Sequence, residues 1–591
     1  MTKAPRNVKI DPVLTRVIGG FILSAAEEMG SVLVRTSYST NIKERADCST
    51  AVFDAEGRTV AQASHVPLHL GALLGMVRQV LERFPVETIQ PGDMFIANDA
   101  FLGIGSQLND ITVAAPVFDG GEIVAYVANI AHHSDVGGRF PGSEAAASET
   151  IYEEGLRLPP VRLLRGGTVR EDIVSIIQGN SRVPRNVGGD LRAQIAANRI
   201  GVRRMQELHV KYGKDEVRRH MSGWLDYAEL RIRKAIEQLP VGRYSFSDLI
   251  DDDGGHVGDA PLMMRVEITV ASGELTFDFT GCPPQGRNSH NAVLMALLAT
   301  VYYATKAILD PDIPPNAGYY RAIRVIAPEG TIVNAVPPAA VATRNHTCQK
   351  VVDVIMGAMA SVVPARVVAG CASSKLMIIG GVNPRTGRPF IDYEANSGGL
   401  GARASKDGLD VSRAHMTNTG NLPIEALEQE DPLLVERYEL VPDSGGPGRY
   451  RGGLGARRDT KMLGDGFEQS GFSLGHDYPG VGLLGGSRGR IAAPSMLVRN
   501  YGSEGEEHLH PAGHYVLTKG DVLSVFTPGG GGFGDPLDRP LELIANDLEE
   551  GKISAAAADS DYGVVLGPDS LIDPRASAEE RRRRRLARSG R

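Results

Sequence analysis

Two runs of apolar and β-branched residues, 111–118 and 123–130, flank Asp119-Gly120-Gly121-Glu122 and predict a β-hairpin closed by a two-residue glycine turn. Pairing Asp119 with Glu122 sets Asp110 opposite Ala131, one position short of His132. Pro116 cannot donate to a ladder, so a bulge is expected there, and one extra residue would bring Asp110 and His132 onto the same face. Upstream, Asp11 reads as an N-cap before Pro12, opening a helix whose apolar period runs to Val34 and packs on the hairpin layer. Segments 48–54 and 59–64, around Glu56-Gly57-Arg58, predict a second strand-turn-strand unit, followed by a helix over 71–84. Two charge-laced helices, 191–212 and 216–239, the second carrying the single tryptophan Trp224, predict a solvent-facing helical hairpin or a subunit contact. Strands at 262–270 and 274–279 and helices at 291–309 and 349–361 follow, before a glycine-rich half that begins at Asn396.

A chain of 591 residues is too long for one hydrophobic core and implies about three to four domains. The expected fold class is mixed α/β (α+β) and multi-domain. Residues 1–240 carry the hairpin-based site and the helical hairpin, 241–390 a central α+β domain, 391–575 a glycine-rich domain, and 576–591 a basic tail without structure. The 70 glycines gather in loops after residue 390 and imply tight turns or close backbone approaches. A net charge of -8 excludes general attraction to nucleic acid or anionic lipid. Cys48, Cys282, Cys348 and Cys371 lie far apart without a C-x-x-C pair, which argues against a zinc ribbon or a disulfide framework and for a reducing cytoplasm. The first residues lack the apolar core of a secretory signal, and the most apolar run, 291–309, is interrupted by Thr300, Thr305 and Lys306, so it reads as a buried helix.

The chemistry-bearing residues stand at the two far ends of the hairpin, Gln107 and Asp110 on one strand, His132, His133 and Asp135 on the other. Antiparallel pairing brings those ends together, so they can share one metal or one substrate. The same pattern also fits two histidines that merely satisfy neighbouring carbonyls. Other clusters carry less. The acidic turn at 251–255 lacks the later ligands of an EF-hand, Pro528 to Pro536 lacks the Lys-Ser/Thr of a P-loop, and His508, His510 and His514 read as a solvated loop.

Several blocks in order resemble the B subunits of ATP-dependent hydantoinases and 5-oxoprolinases, a family that includes subunits of ketone carboxylases. They are Glu44-Arg45-Ala46-Asp47-Cys48-Ser49, Ala63-Ser64-His65-Val66-Pro67-Leu68-His69, Ala97-Asn98-Asp99, Ala131-His132-His133-Ser134-Asp135 and Pro141-Gly142-Ser143, then His415 to Thr419, Val435 to Gly455 and Pro528 to Pro536. The resemblance implies a partner A subunit of actin-like ATPase type, which handles ATP and activates a carbonyl, while the B subunit binds a divalent metal. Carried over residue by residue, the metal ligands are Asp47, Gln107, Asp110 and His132. Gln107 stands where the family has histidine, and a neutral carbonyl oxygen favours magnesium or manganese over zinc. Asp99, His133 and Asp135 are the expected catalytic groups that orient or exchange protons, and Glu44, Arg45 and His65 the expected support. The reaction implied is hydrolysis of a lactam or imide ring, with ketone carboxylation and a non-catalytic scaffold as alternatives.

Overall fold

The computed structural model describes residues 10–251, 260–372, 375–472, 475–493 and 495–589. Its N-terminal part is built on a seven-stranded antiparallel sheet. The strands are β1 (Cys48–Asp54), β2 (Thr59–Gln62), β3 (Met94–Ala97), β4 (Asp110–Asp119), β5 (Glu122–His132), β6 (Val161–Arg165) and β7 (Thr168–Val169), in the order β2-β1-β5-β4-β3-β6-β7. The β4–β5 hairpin lies at its centre. Gly120 and Gly121 have φ of 58° and 85°, the positive values that a two-residue turn matching strand twist requires. Val117 pairs with Ala125 but Phe118 with Ile123, so Val124 is an extra residue, and beyond it Asp110 faces His132. The bulge thus exists, but on β5 and not at Pro116. Pro116 is tolerated because β3 pairs only with Thr112, Val113 and Ala114 of β4 and leaves its nitrogen side open.

Helices cover both faces of this sheet. Helix α1 (Pro12–Thr36), capped by Asp11 Oδ1 accepting from the Val13 N–H at 2.9 Å, buries Ile18, Ile22, Met29 and Leu33. It is long and apolar enough to cross a membrane, yet here it is a core helix. Helix α2 (Pro67–Arg83) starts earlier than the periodicity suggests, because Pro67 occupies its first turn, and packs Leu73, Met76, Val77 and Val80 on the opposite face. The helices expected to face solvent are α3 (Pro184–Tyr212) and α4 (Lys214–Ile236), and α3 corrects that expectation. It lies on the hairpin, where Gln194 Nε2 donates to the Ile111 carbonyl at 2.8 Å and Asn198 Nδ2 to that of Val113 at 2.9 Å. Its polar face satisfies the sheet's free carbonyls, which is why it reads as a surface. Trp224 of α4 packs against α1 at Gly19, where a Cβ would lie 2.6 Å from the indole ring.

A second sheet joins β8 (Gly242–Ile250), β9 (Leu262–Ala271), β10 (Glu274–Asp278) and β11 (Ile323–Ile326), and is packed by α5 (Leu294–Leu309) and α6 (Arg344–Met359). Of the acidic turn at 251–255, only Asp251 falls within the described residues. Two further sheets follow, β13-β12-β16-β19 and β14-β15-β20-β17-β18, with β12 (Lys375–Asn383), β13 (Arg388–Asn396), β14 (Leu433–Leu440), β15 (Ala456–Met462), β16 (Phe467–Phe472), β17 (Leu497–Arg499), β18 (Glu507–His508), β19 (Tyr515–Leu517) and β20 (Val522–Phe526). Between them, extended glycine segments cross at backbone distance. Gly530 donates to the Gly453 carbonyl at 2.9 Å and accepts from Gly446 at 2.8 Å, while Gly531 donates to Gly370 at 2.8 Å and accepts from Ala402 at 2.9 Å. A Cβ on Gly530 would sit 2.2 Å from the Leu400 oxygen, so the run from Pro528 is the middle of a bundle. The basic end of the chain is helix α7 (Pro574–Ser589), not a structureless tail. Arg581 donates to the carbonyls of Tyr562 and Arg539, Arg584 pairs with Asp559 at 2.7 Å, and Arg588 with Asp535 at 3.1 Å.

Candidate functional site

The site forms where β4 begins and β5 ends. Asp110 and His132, both buried, meet across the hairpin with Oδ1 and Nδ1 3.2 Å apart. The Gln107 side chain, from the turn before β4, places Nε2 2.8 Å from His132 Nδ1 and 3.5 Å from Asp110 Oδ1. Asp47, just before β1, is tied to the same strand end through its carbonyl, which accepts from the His132 N–H at 3.0 Å. The structure therefore brings Asp110, Gln107 and His132 into direct contact and holds Asp47 beside them.

Further side chains complete the cluster. His69, in the first turn of α2, presents Nε2 to Asp47 Oδ1 at 3.7 Å and to Asp110 Oδ1 at 3.6 Å. On the far side of the His132 ring, Nε2 lies 3.7 Å from Glu144 Oε1. Arg344 of α6 donates through Nη2 to Asp110 Oδ2 at 2.9 Å and through Nε to Ser106 Oγ, which itself donates to Asp110 Oδ2 at 2.8 Å. Tyr393 of β13 donates to Glu144 Oε2 at 2.6 Å and packs its ring on His132. The Arg45 guanidinium lies over that phenol and donates to the carbonyls of Tyr393 and Gly420.

These contacts set the electrostatics. Burial opposes ionisation of Asp110, but Arg344, His132 and His69 outweigh it and hold the carboxyl well below its usual range. Burial likewise disfavours charge on His132, yet its contact with Asp110 and the charges of Asp47 and Glu144 raise its pKa. Glu144 is pushed up by burial, with His132 and Arg344 acting against the shift.

The donor set suits a divalent cation. His132 Nε2, Glu144 Oε1 and Gln107 Oε1 are buried with no hydrogen-bond partner among the described residues. The gaps from His69 Nε2 to the Asp47 and Asp110 oxygens, 3.7 and 3.6 Å, are longer than hydrogen bonds and leave room for an ion between these atoms. A tighter group, in which His, Asp or Glu atoms all lie within 4.8 Å of one another, is Asp251, His476 and Asp477. There the Asp251 oxygens already accept from the N–H groups of Gly475, His476, Asp477 and Tyr478, so it works as a loop anchor.

The other expected residues have different partners. Asp99 caps a short turn through the Phe101 N–H and binds Arg157 Nε at 2.8 Å. His133 Nε2 meets Gln194 Oε1 at 3.0 Å, on the face turned toward α3. Asp135 accepts from the Arg182 N–H at 2.6 Å, from its guanidinium at 2.9 Å and from the Gly142 N–H at 3.1 Å. Glu44 is exposed beside Lys43, and His65 packs against Gly30 of α1. His69, Glu144, Arg344 and Tyr393 are the residues that sequence reasoning missed. His69 and Glu144 carried a signal, since Pro67 starts a helix that turns His69 inward and Glu144 directly follows Pro141-Gly142-Ser143.

Three carboxylates, from Asp47, Asp110 and Glu144, and two imidazoles, from His69 and His132, thus meet at one end of an antiparallel hairpin. The sequence profile of the Hydantoinase B/oxoprolinase family matches residues 11–536, and the chain belongs to that family. It is 31% identical to the caprolactamase subunit beta of Pseudomonas jessenii, over 97% of this chain and 99% of that one. It is 33% identical to 5-oxoprolinase 1 of Arabidopsis thaliana, over 90% of this chain and 42% of the longer plant protein. The crystal structure of the ATP-dependent caprolactamase from Pseudomonas jessenii superposes with a TM-score of 0.89 at 30% identity, over 97% of this chain and all of that one. A nucleotide-free acetone carboxylase has the same fold, with a TM-score of 0.90 at 20% identity over 98% of this chain and 84% of that one.

Proposed function

We propose that this chain is the ring-opening B subunit of an ATP-dependent cyclic amidohydrolase. A partner A subunit of actin-like ATPase type activates the ring carbonyl of a lactam or imide, and water attacks it at the hairpin site in the cytoplasm. The reading is carried by the unpartnered, buried atoms of His132, Glu144 and Gln107 set among the carboxylates of Asp47 and Asp110. Asp47, Asp110 and His132 would hold the cation, with His69 and the Gln107 oxygen completing the set; magnesium or manganese suits these donors better than zinc. A divalent ion bound there acidifies water and polarises a carbonyl.

The chain's own residues supply the rest. Arg344 and Ser106 fix both the charge and the rotamer of Asp110. The His132 ring turns Nδ1 to Asp110 and Nε2 to Glu144, and so links the carboxylates on its two sides. Glu144, with its raised pKa and one oxygen held by Tyr393, is the group suited to take a proton from the attacking water and return it to the leaving ring nitrogen. Asp99, His133 and Asp135 support the walls through the partners described above.

The test is turnover by the purified chain together with its partner, on hydantoin, 5-oxoproline and caprolactam, with and without ATP and bicarbonate. Ring opening that requires ATP, ignores bicarbonate and disappears in Asp110→Asn supports the reading. Bicarbonate consumption with a ketone would instead make the complex a carboxylase, and full turnover by Asp110→Asn would reject the site.

A further inference from the structure

A cavity of about 670 Å³ opens between the N-terminal half of α1, the edge strand β2, the middle of α4 and the loop that follows α5. None of the metal-site side chains lines it. Its walls are apolar, made by Leu23 of α1, Val60 and Ala61 of β2, Trp224 of α4, and Ile313 and Pro314 of the loop. Trp224 and Tyr227 form a stacked platform, with ring centroids 5.4 Å apart and planes 17° from parallel. The space is open to solvent, since Ile10 and Tyr227 on its wall are each 40% exposed. A chamber of this size, mostly apolar with a few charged groups, takes a small organic ligand.

The charges on the wall do not cancel. Arg231 is held by Asp310 in two hydrogen bonds of 2.7 and 2.8 Å, and Asp226 is held by Arg321 at 2.9 Å. Thr15 is satisfied as well: its hydroxyl donates to the Asp11 carbonyl at 2.8 Å and lies 2.7 Å from His220 Nδ1. Lys306 is different. Its half-buried ammonium donates to the carbonyls of Pro311 and Ile313 and forms no ion pair among the described residues, which leaves one of its three N–H groups without a partner there. Burial pulls its pKa down, with Asp310 and Asp312 acting against the shift. Arg16, exposed on α1, has no side-chain partner among the described residues, and neither has the exposed carboxylate of Asp312. Two unpaired cations therefore face the apolar chamber against one unpaired carboxylate.

We propose that this cavity binds an organic acid with a single carboxylate and an apolar chain or ring, its body lying on Leu23 and Trp224 and its head group accepting from Lys306 and Arg16. An apolar body gains by leaving water, and the carboxylate supplies the partner that a half-buried ammonium lacks. One negative charge matches the one cation in excess. An alcohol of the same shape would leave both cations unpaired, and an amine would add a third. This site is independent of the ring-opening reading.

The experiment is isothermal titration of the full chain, alone and in complex with its partner, with octanoate, 1-octanol and octylammonium below the concentrations at which they aggregate. The expected result is saturable binding of octanoate in both samples, about tenfold or more tighter than the other two, as one charge-assisted hydrogen bond supplies. Lys306→Met and Arg16→Gln should each erase that preference without changing the affinity for 1-octanol. Equal affinities for the three head groups, absence of saturable binding, or a preference untouched by both variants overturns the proposal. Octanoate binding to the chain alone but not to the complex gives this face to the partner, and binding only after deletion of residues 1–9 gives it to the N-terminal segment; either result overturns the proposal. If Lys306→Met melts at a lower temperature than the parent, Arg16→Gln decides, because Arg16 is exposed and its removal empties no core.

Discussion

Asp110 and His132 are 22 positions apart in sequence and 3.2 Å apart in space, and one bulged residue between them decides the pairing. Deleting Val124 should restore the unbulged register and turn Asp110 opposite Ala131. On the proposed function, the expected outcome is a folded chain that binds no divalent cation and opens no ring with its partner, checked by circular dichroism, elemental analysis and turnover.

Exchanging Gln107 for histidine replaces a hard oxygen donor with a borderline nitrogen donor. Gln107→His should bind zinc about tenfold more tightly or better than the parent chain. Competition titration with a zinc indicator measures it, and stripping the parent with a chelator should abolish turnover that manganese or magnesium restores.

Arg344 and Asp110 form a buried pair, with side chains 5% and 0% exposed. Removing the guanidinium in Arg344→Met leaves an uncompensated carboxylate and should cost about 3–5 kcal/mol. Denaturant unfolding reads that loss. Asp110→Asn in the same background should recover part of it.

The hairpin was legible because its signals are local: alternating β-branched runs, a Gly-Gly turn, and polar residues just beyond each strand. His69 was missed as a site residue because the period of 71–84 hides the extra turn started by Pro67. Arg344 and Tyr393 had no local signal at all, since each reaches the site from a different sheet or helix more than two hundred residues along the chain. Strand β8 escaped because one face is exposed and its sequence mixes Ser, Tyr and Arg with apolar residues. The arginine run of α7 reads as a solvated tail until its partners, Asp559, Asp538 and Asp535, are seen to come from elsewhere.

Glu154 holds the approach to α6 by accepting from the N–H groups of Val341 and Ala342 at 2.7 and 2.8 Å, and burial pushes its carboxyl up to about 8 despite those donors. Its folded pKa lies above the ordinary value, so between roughly pH 4.5 and 8 the native state binds more protons than the unfolded chain, and stability falls as pH rises through that window. Glu154→Gln keeps an acceptor for both N–H groups and cannot ionise. It should therefore flatten the pH dependence of the melting temperature and be more stable than the parent above pH 8.

Gly530 has backbone on every side, and a methyl group there would meet the Leu400 carbonyl. Gly530→Ala should destabilise the C-terminal half by about 3 kcal/mol or more while leaving the hairpin donors in place. Differential scanning calorimetry of the two chains tests it.

Since main-chain spacing, with no side chain taking part, dictates residue choice along those crossing segments, the C-terminal half answers to a different rule from the hairpin. Strings of identical small residues there record how near two polypeptide stretches run. A mutational survey would therefore rank positions such as Gly452 and Gly531 among the least replaceable in the molecule, although neither contributes a side chain.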